Sequence, residues 1–477
     1  MSHILSRLSQ AALRHRALAR RLVPQGLHHV VGSLARGFVQ AAERTDAVDA
    51  NAPDFPLDFP EPLLPADRFA ADRVVLINDA LAAGGAERQI VNTLSGLART
   101  SPLTPELLCW RLGESPELSF HASTLESAGI RFGNVRTNLA EDEAVDATGL
   151  SAWLDTQTAW LPPDVRGRIV QLADDLARRR PGIVHAWQDE TNLVAGLAAL
   201  LVGVPRIVLS TRNVNPSGFG YHRPFMRAAY RALCRQERIV LSNNSHAGAQ
   251  DYADWLGVTG DRFVVVHNGV ETDAIAPADG AARQATRQRF NLPADGPVVG
   301  TVIRFNAEKQ PLLWLAAAAH LMQRLPAAHF LMVGDGPMQA KIRSEARRLG
   351  LADRLVLPGP VQPVGEALAA MDAFLLSSAQ EGLPNVTLEA GLAGLPVVTT
   401  SAGGAPETID PGVTGLVVGM HGLNTEELAE ALAGALHTVL TDPDWGARVR
   451  RLAPAFVAAR FGMERMIEET QALYSRA

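Results

Sequence analysis

Short runs of apolar, often β-branched residues alternate with segments of helical length along most of the chain. Strands that alternate with helices at this interval predict parallel sheets covered by helices on both faces. We expect an α/β fold of two doubly wound, Rossmann-like domains that face each other, with ligands outside the carboxyl ends of the strands, in the cleft between them. The predicted strands are 73–78, 182–186, 206–210, 238–242 and 263–267 in a first domain, and 298–304, 329–334, 354–357, 373–377, 396–400 and 415–418 in a second.

The chain has 477 residues, which is too long for one ordinary core and fits two domains with additional segments. The composition changes along the chain define the predicted boundaries. These are a basic amphipathic segment at 1–44, a linker rich in proline and acidic residues at 45–69, a first domain at 70–275, a second domain at 276–455, and a C-terminal helix that crosses back at 456–477.

The first 42 residues contain six arginines, no acidic residue, and apolar residues at helical spacing. Such a segment favours contact with an anionic inner membrane surface, and a solvated tail or a partner-binding arm is the alternative. An organelle transit peptide has a similar composition. The apolar run at 193–205 is too short to cross a bilayer, so we expect a cytoplasmic protein, peripheral on the membrane at most.

Charge and cysteine content exclude other classes of protein. A formal net charge of −6 argues against a nucleic-acid partner, because a phosphate backbone requires a basic surface. Cys109 and Cys234 are the only cysteines, and their separation suggests neither a disulfide framework nor a zinc site.

The most informative motif is the stretch EGLPNVTLE, which follows the predicted strand at 373–377. Pro384 suits the first position of a helix, and the backbone amides after it would be free donors for an anion. Glu381 precedes this helix and Glu389 lies inside it, so the two carboxylates are placed to contact different parts of one long ligand. The ligand-binding candidates in the motif are Glu381, Gly382, Leu383, Pro384, Asn385, Val386 and Glu389.

Two acids separated by seven residues in this context resemble the signature of the family-four retaining glycosyltransferases, which have the GT-B fold. The resemblance spans residues 73–475, including HNGV at 267–270 and VGDGP at 333–337. It implies that Glu381 meets the hydroxyls of the donor sugar and that Glu389 binds the ribose. It further implies a nucleotide diphosphate sugar as co-substrate, a metal-independent reaction, and neither a metal nor a resident cofactor.

Arg304 and Lys309, at the end of the second domain's first strand, are similar to the family's Arg-x4-Lys pair, which binds the donor diphosphate. Lys309 and Lys341 are the only lysines among the 44 cationic residues, since the chain otherwise uses arginine for positive charge. A lysine at position 309 therefore indicates a specific role for an ammonium group. A compact ammonium acts as a point charge on phosphate. We expect Arg304, Lys309 and Glu381 to be the catalytic residues.

Two glycine-rich loops also resemble family elements. Gly84 and Gly85, after the first strand, allow the backbone to approach a phosphate or an acceptor closely. The GGAPE stretch at 403–407 resembles a segment that lines the donor pocket, although Glu407 could equally be an acid at a helix start.

The acceptor side carries a departure from the family. Where the family commonly has a His-x-His stretch, this chain has His185 and Trp187, and His185 could equally be a buried structural residue. Arg212, Tyr221 and His222 form a polar, partly aromatic stretch that we consider for the acceptor.

The predicted function is the transfer, with retention, of a hexose-type sugar to a polysaccharide or lipid-linked glycan. The first alternative is a scaffold of a polysaccharide assembly complex that binds nucleotide sugar without catalysis. The second is a nicotinamide-dependent oxidoreductase, which the spacing argues against, because Gln339 stands where the fingerprint G-x-G-x-x-G needs its third glycine.

Overall fold

The computed structural model describes residues 59, 61–135 and 161–475. The predicted basic segment at 1–44 and most of the predicted linker lie outside these residues. In the described part of the chain, every helix is too short or too polar to cross a membrane.

The first lobe is built on a parallel sheet of seven strands in the order β3-β2-β1-β4-β5-β6-β7. Its strands are β1 (Ala70–Ile77), β2 (Thr104–Cys109), β3 (Arg131–Asn134), β4 (Pro181–Trp187), β5 (Arg206–Ser210), β6 (Ile239–Asn243) and β7 (Phe263–Val265).

The second lobe is built on a parallel sheet of six strands in the order β10-β9-β8-β11-β12-β13. Its strands are β8 (Val298–Val302), β9 (His329–Val333), β10 (Leu355–Val356), β11 (Ala373–Leu376), β12 (Val397–Thr400) and β13 (Gly415–Val418). In both sheets the strand order reverses beside the lobe's first strand, which is the topology of a doubly wound fold. The predicted pair of Rossmann-like sheets is confirmed.

Helices cover both sheets. They are α1 (Gly85–Thr100), α2 (Ala122–Ser127), α3 (Pro163–Arg179), α4 (Asp189–Val202), α5 (Met226–Leu233), α6 (His246–Leu256), α7 (Gly280–Arg289), α8 (Pro311–Arg324), α9 (Gln339–Arg348), α10 (Val364–Ala369), α11 (Asn385–Leu392), α12 (Thr425–Thr441), α13 (Pro443–Phe461) and α14 (Met463–Ser475).

Two strands of the first sheet, β2 and β3, are not among the predicted ones. Pro105 and Glu106 interrupt the apolar pattern of β2, although both are buried. β3 lies at the sheet edge, contains Gly133, and has no fully buried residue. A short edge strand needs little apolar surface, so its sequence carries a weak signal.

The apolar pattern of α4 explains its position. Its residues from Thr191 to Val202 are all buried, because the helix packs between the first sheet and the neighbouring helices α3 and α5. A helix that is apolar on every side is stable in water only when it is enclosed. The second lobe has its own core, in which Trp314, Phe330 and Phe374 are fully buried.

The chain passes between the lobes twice. The segment 271–296, expected to be an interdomain crossover, contains α7, which belongs to the second lobe: the buried Arg287 donates to the Ala370 carbonyl at 3.0 Å and to Asp372 at 2.5 Å. The C-terminal stretch consists of two helices. α13 packs on α11 of the second lobe, and α14 packs on α1 of the first.

Candidate functional site

The site lies where β8 and β11 pair at the point of strand reversal in the second sheet. Their carboxyl ends carry the loops that contain Arg304 to Lys309 and Ser377 to Glu381. The two loops are tied together, because the Ala379 amide donates to the Glu308 carbonyl at 2.8 Å and the Ser377 hydroxyl donates to the Lys309 carbonyl at 3.1 Å. The topology therefore brings together two motifs that are 72 residues apart.

Lys309 and Glu381 form the centre of this site. The ammonium donates to Glu381 Oε1 at 2.7 Å, and the Ser378 hydroxyl donates to the same oxygen at 2.6 Å. The side chain of Lys309 is 20% exposed and that of Glu381 only 7%, so the ion pair lies at the cleft surface but is largely shielded from water. A fixed ammonium in such an environment stabilises negative charge more strongly than one in water.

Close backbone packing fixes the Glu381 loop. A Cβ added to Gly403, whose φ is +46°, would lie 1.9 Å from the Glu381 carbonyl oxygen, and one added to Gly404 would lie 2.1 Å from the Gly382 carbonyl oxygen. The Gly404 amide donates to that Gly382 carbonyl at 2.9 Å. Gly403 and Gly404 therefore pack directly against the backbone of the Glu381 loop, and no side chain fits at either position.

The helix start after this loop differs by one residue from the prediction. Pro384 occupies the N-cap position of α11 rather than the first helical position, which Asn385 takes. Proline has no side-chain acceptor, and the N-cap makes no side-chain hydrogen bond to the first turn. The N-cap side chain therefore does not occupy the free amides at the positive end of the helix dipole, which leaves this end suited to bind an anion.

Glu389 is brought to the lobe interface, where its partner is Arg88. The Arg88 guanidinium, in the first turn of α1, donates to Glu389 Oε1 at 2.6 Å. Burial raises the pKa of Glu389, and Arg88 partly offsets this rise. The sequence does not reveal this partner, because the two residues are 301 positions apart.

Several side chains of the predicted donor-binding stretch serve the contact between lobes. The Asn385 amide oxygen accepts from Asn268 at 2.7 Å and from Gln89 at 3.2 Å, both in the first lobe. Leu383 is buried in a small cluster that includes Val270 and residues of α11 and α13. The side chains of Leu383 and Asn385 therefore fill the interface, and a ligand would reach only backbone groups there. Val386 is half-buried against the core of the second lobe.

The loop with Gly84 and Gly85 lies opposite, in the first lobe. A Cβ on Gly85 would approach the Asn385 amide nitrogen to 3.3 Å, so the glycine loop borders the α11 start. Glu87 follows it and accepts from Gln188 at 3.1 Å. Burial raises the pKa of Glu87, while the hydrogen bond from Gln188 and the charge of Arg304 oppose the rise. The exposed Arg304 is therefore close enough to the first lobe to act on one of its carboxylates.

The structure does not support His185 or Trp187 as acceptor contacts. Both side chains are 2% exposed. The two ring nitrogens of His185 lie 2.9 Å from the Tyr474 hydroxyl and 2.8 Å from the Ser210 hydroxyl, so the imidazole ties α14 to the sheet. Burial and the charge of Arg212 lower the pKa of His185 to about 3, which keeps it neutral.

Arg212 links these buried aromatic groups to the interface. Its guanidinium lies 4.0 Å above the Trp187 ring and donates to Asn268, while its Nε has no hydrogen-bond partner in the described residues. Burial lowers the pKa of Arg212 to about 9. A Cβ on Gly382 would lie 2.3 Å from the Arg212 carbonyl, so Arg212 borders the donor loop.

The other two acceptor candidates lie further out in the first lobe. Tyr221 is 49% exposed, stacks on Phe219, and donates to Asp189 at 3.3 Å. Asp189 is buried and also accepts from Tyr230 at 2.9 Å. His222 is half-buried and packs edge-on against a tryptophan of α6. Tyr221 is thus the candidate with an accessible face.

Glu407 does not face the donor loop. It lies in the turn Ala405–Thr408, and its carboxylate accepts from the backbone amides of His246 and Ala247 at 2.9 and 2.8 Å. The acid therefore caps α6 of the opposite lobe.

Two facing Rossmann-like lobes, with polar groups gathered at the strand reversal of the second sheet, define the GT-B class of glycosyltransferases. Comparison with known proteins agrees. The family model described as Glycosyltransferase Family 4 matches residues 83–274, and the one described as Glycosyl transferases group 1 matches residues 296–438.

Individual relatives extend this match. The chain is 31% identical over 422 residues to the Vi polysaccharide biosynthesis protein VipC/TviE of Salmonella typhi. The alignment covers 85% of this chain and 71% of that protein. It is 30% identical over 313 residues to a GDP-mannose-dependent alpha-(1-6)-phosphatidylinositol monomannoside mannosyltransferase of Mycobacterium tuberculosis, which covers 62% of this chain and 77% of the relative.

The fold has solved counterparts. HepE of Anabaena, in complex with UDP and glucose, superposes with a TM-score of 0.66 at 20% identity, covering 84% of this chain and 99% of that one. The chain belongs to the family-4 glycosyltransferases, as its motifs predict, and it is an enzyme of that class. The oxidoreductase alternative is therefore wrong.

Proposed function

We propose that this enzyme transfers a hexose-type sugar from a nucleotide diphosphate sugar, with retention of configuration and without a metal. The observation that carries the proposal is the contact of Lys309 with Glu381 at the strand reversal of the second sheet, at 2.7 Å. Both side chains come from the motifs that this family uses for the donor. The reaction needs one fixed cation for the leaving group and one acceptor of hydrogen bonds for the sugar hydroxyls, and this pair supplies both.

The donor lies along the β8 and β11 loops. Arg304 and Lys309 bind the diphosphate, together with the backbone amides at the start of α11. Glu381 accepts from the hydroxyls of the sugar. Glu389 accepts from the ribose diol, and Arg88 orients that carboxylate by its hydrogen bond. The side chains of Leu383 and Asn385 have no part in this binding, because they pack between the lobes.

The chemistry is a front-face displacement. The acceptor hydroxyl oxygen forms a bond to the anomeric carbon on the face from which the nucleotide diphosphate departs. The proton of that hydroxyl passes to the leaving phosphate oxygen, so the protein needs no general base. Charge develops on the leaving diphosphate, and Arg304 and Lys309 stabilise it there.

The acceptor enters from the first lobe. We propose a polysaccharide or a lipid-linked glycan, because the matched relative of Salmonella typhi is a polysaccharide biosynthesis protein and the mycobacterial relative is named for a lipid acceptor. Tyr221 provides an exposed aromatic face on which a sugar ring can stack. The enzyme would act at the cytoplasmic face of the membrane, which it would contact through residues 1–42.

A panel of UDP-, GDP-, ADP- and TDP-sugars tests the proposal. Each is added to the wild type and to Glu381→Gln, and both thermal stabilisation and released nucleoside diphosphate are measured. We expect one nucleotide sugar to stabilise both proteins. Only the wild type should release nucleoside diphosphate from it. Stabilisation without any release, also in the presence of glycan acceptors, would favour the scaffold alternative. Stabilisation by none of the nucleotides would refute donor binding.

A further inference from the structure

Three potential metal ligands from the two lobes meet outside the donor loops. His246 is the first residue of α6, His267 follows β7, and Glu407 lies in the turn Ala405–Thr408 of the second lobe. One ligand atom of each lies within 4.8 Å of the other two. Two imidazoles and one carboxylate form a ligand set that zinc commonly takes in proteins.

The spacing of two of these ligands already suits zinc. His267 Nε2 lies 3.2 Å from Glu407 Oε2. Bonds of about 2.0–2.2 Å at a tetrahedral angle place two zinc ligands roughly 3.3–3.6 Å apart. His246 is exposed, so its ring can turn toward this pair without disturbing the core.

The surrounding contacts hold two of the ligands in place. The amides of His246 and Ala247 orient the Glu407 carboxylate, and the Phe461 ring packs edge-on against His267 at 5.4 Å between centroids. Contacts of this kind, which orient the ligands of a metal, are a regular part of metal sites. The His246 and His267 rings pack edge to face, with 5.3 Å between their centroids.

The site is also accessible from solvent. His246 lines a surface cavity of about 800 Å³ next to β7 and α6. Because His246 is exposed and borders this cavity, water can reach an ion bound by its ring. The three ligands do not include any of the residues proposed for the donor, so the ion would have no part in the transfer chemistry.

We propose that His246, His267 and Glu407 bind one Zn²⁺ ion, which links the first lobe to the second. A metal that binds only the folded and closed arrangement of the lobes stabilises it by an amount that grows with the logarithm of its affinity. The ion thereby resists opening of the lobes at the contact between α6 and the turn Ala405–Thr408.

The test uses the full chain without a histidine tag, treated with a chelator and then titrated with ZnCl₂ by calorimetry. We expect one ion per chain and an increase in the unfolding temperature. His246→Ala is the leading variant, since this side chain is exposed and its removal should disturb the core least of the three. It and His267→Ala should weaken Zn²⁺ binding at least about 100-fold, because each removes a direct ligand.

Two controls separate this site from other histidines. His320→Ala removes a matched His–Glu pair, with 2.9 Å between His320 Nε2 and Glu426 Oε1, outside the three-ligand group. A double variant, His28→Ala with His29→Ala, removes adjacent histidines of the N-terminal segment. Both controls should bind Zn²⁺ as tightly as the wild type.

Cobalt gives a second readout. Co²⁺ at this site should show the visible absorption of a low-symmetry nitrogen and oxygen site in the wild type, and His246→Ala should lose it. Two results would overturn the proposal: a wild type that binds no Zn²⁺ stoichiometrically, or a His246→Ala variant that binds as tightly as the wild type. Loss of binding in either control variant would assign the zinc elsewhere and overturn it equally.

Discussion

Replacement of Lys309 by alanine is the perturbation that the proposed mechanism predicts most sharply. The ammonium contacts Glu381 Oε1 at 2.7 Å, and its side chain is 20% exposed. Alanine removes the fixed positive charge and leaves Glu381 with the Ser378 hydroxyl as its remaining side-chain hydrogen-bond donor. The change should therefore lower the rate of the chemical step and disturb the sugar-binding carboxylate.

The size of the effect follows from the role of the charge. Removal of one preorganised donor to a developing negative charge lowers kcat about 100- to 1,000-fold, or about 2.7–4 kcal/mol. Stability should also fall, by about 1–3 kcal/mol, because the Glu381 side chain is only 7% exposed and loses its charged partner. A fall in kcat measured well below the unfolding temperature of the variant would separate catalysis from folding.

The assay measures nucleoside diphosphate release at saturating donor. Lys341→Ala is the matched control, because Lys341 is exposed on α9, and it should keep the turnover of the wild type. Lys309→Arg keeps the charge but not the compact shape, so an intermediate rate is expected. If Lys309→Ala turns over as fast as Lys341→Ala, the ammonium does not stabilise the leaving group.

Three further changes test other parts of the site. Glu389→Ala should weaken nucleoside diphosphate binding about 10- to 100-fold by calorimetry, as loss of charge-assisted hydrogen bonds does. Arg88→Ala breaks the same ion pair but keeps the carboxylate, so it should bind the nucleotide better than Glu389→Ala; equal affinities would exclude the ribose contact. Gly404→Ala should lower the unfolding temperature, because its Cβ would lie 2.1 Å from a carbonyl oxygen, whereas Gly167→Ala, in open space on α3, should raise it slightly; the opposite order would contradict the packing. Burial raises the pKa of Asp189 to about 6 despite its hydrogen bonds, so its neutral form stabilises the fold at low pH and this contribution is lost as the pH rises through about 6. Asp189→Asn should remove that dependence, so its free energy of unfolding relative to the wild type should increase by roughly 2.4 kcal/mol between pH 4 and 7 in urea titrations, and a constant difference would refute the shift.

The parts of the site that the sequence predicts are those carried by local motifs. Lys309 and Glu381 each follow a strong apolar strand, and in a doubly wound sheet such strand ends meet, so their proximity could be inferred. Gly403 and Gly404 could be recognised as loop residues, although their packing behind the Glu381 loop depends on the three-dimensional structure.

The parts that escaped prediction depend on the contact between lobes. The ion pair of Arg88 with Glu389 and the hydrogen bonds of Asn385 join side chains whose separation in sequence carries no periodic signal. His185 is a polar residue in a motif, and its burial beside Tyr474 of the returning C-terminal helix carries no signal in the sequence. The capping of α6 by Glu407 likewise requires both lobes to be in place.

Retention of configuration is the claim on which the proposed chemistry rests, and the hydrolysis of the donor tests it without knowledge of the acceptor. The enzyme is incubated with the nucleotide sugar that the panel identifies, and proton NMR follows the anomeric signal of the released sugar before it equilibrates in water. A front-face displacement predicts that an α-linked donor first yields the α anomer, at a rate that falls in Lys309→Ala. First appearance of the β anomer would contradict the mechanism.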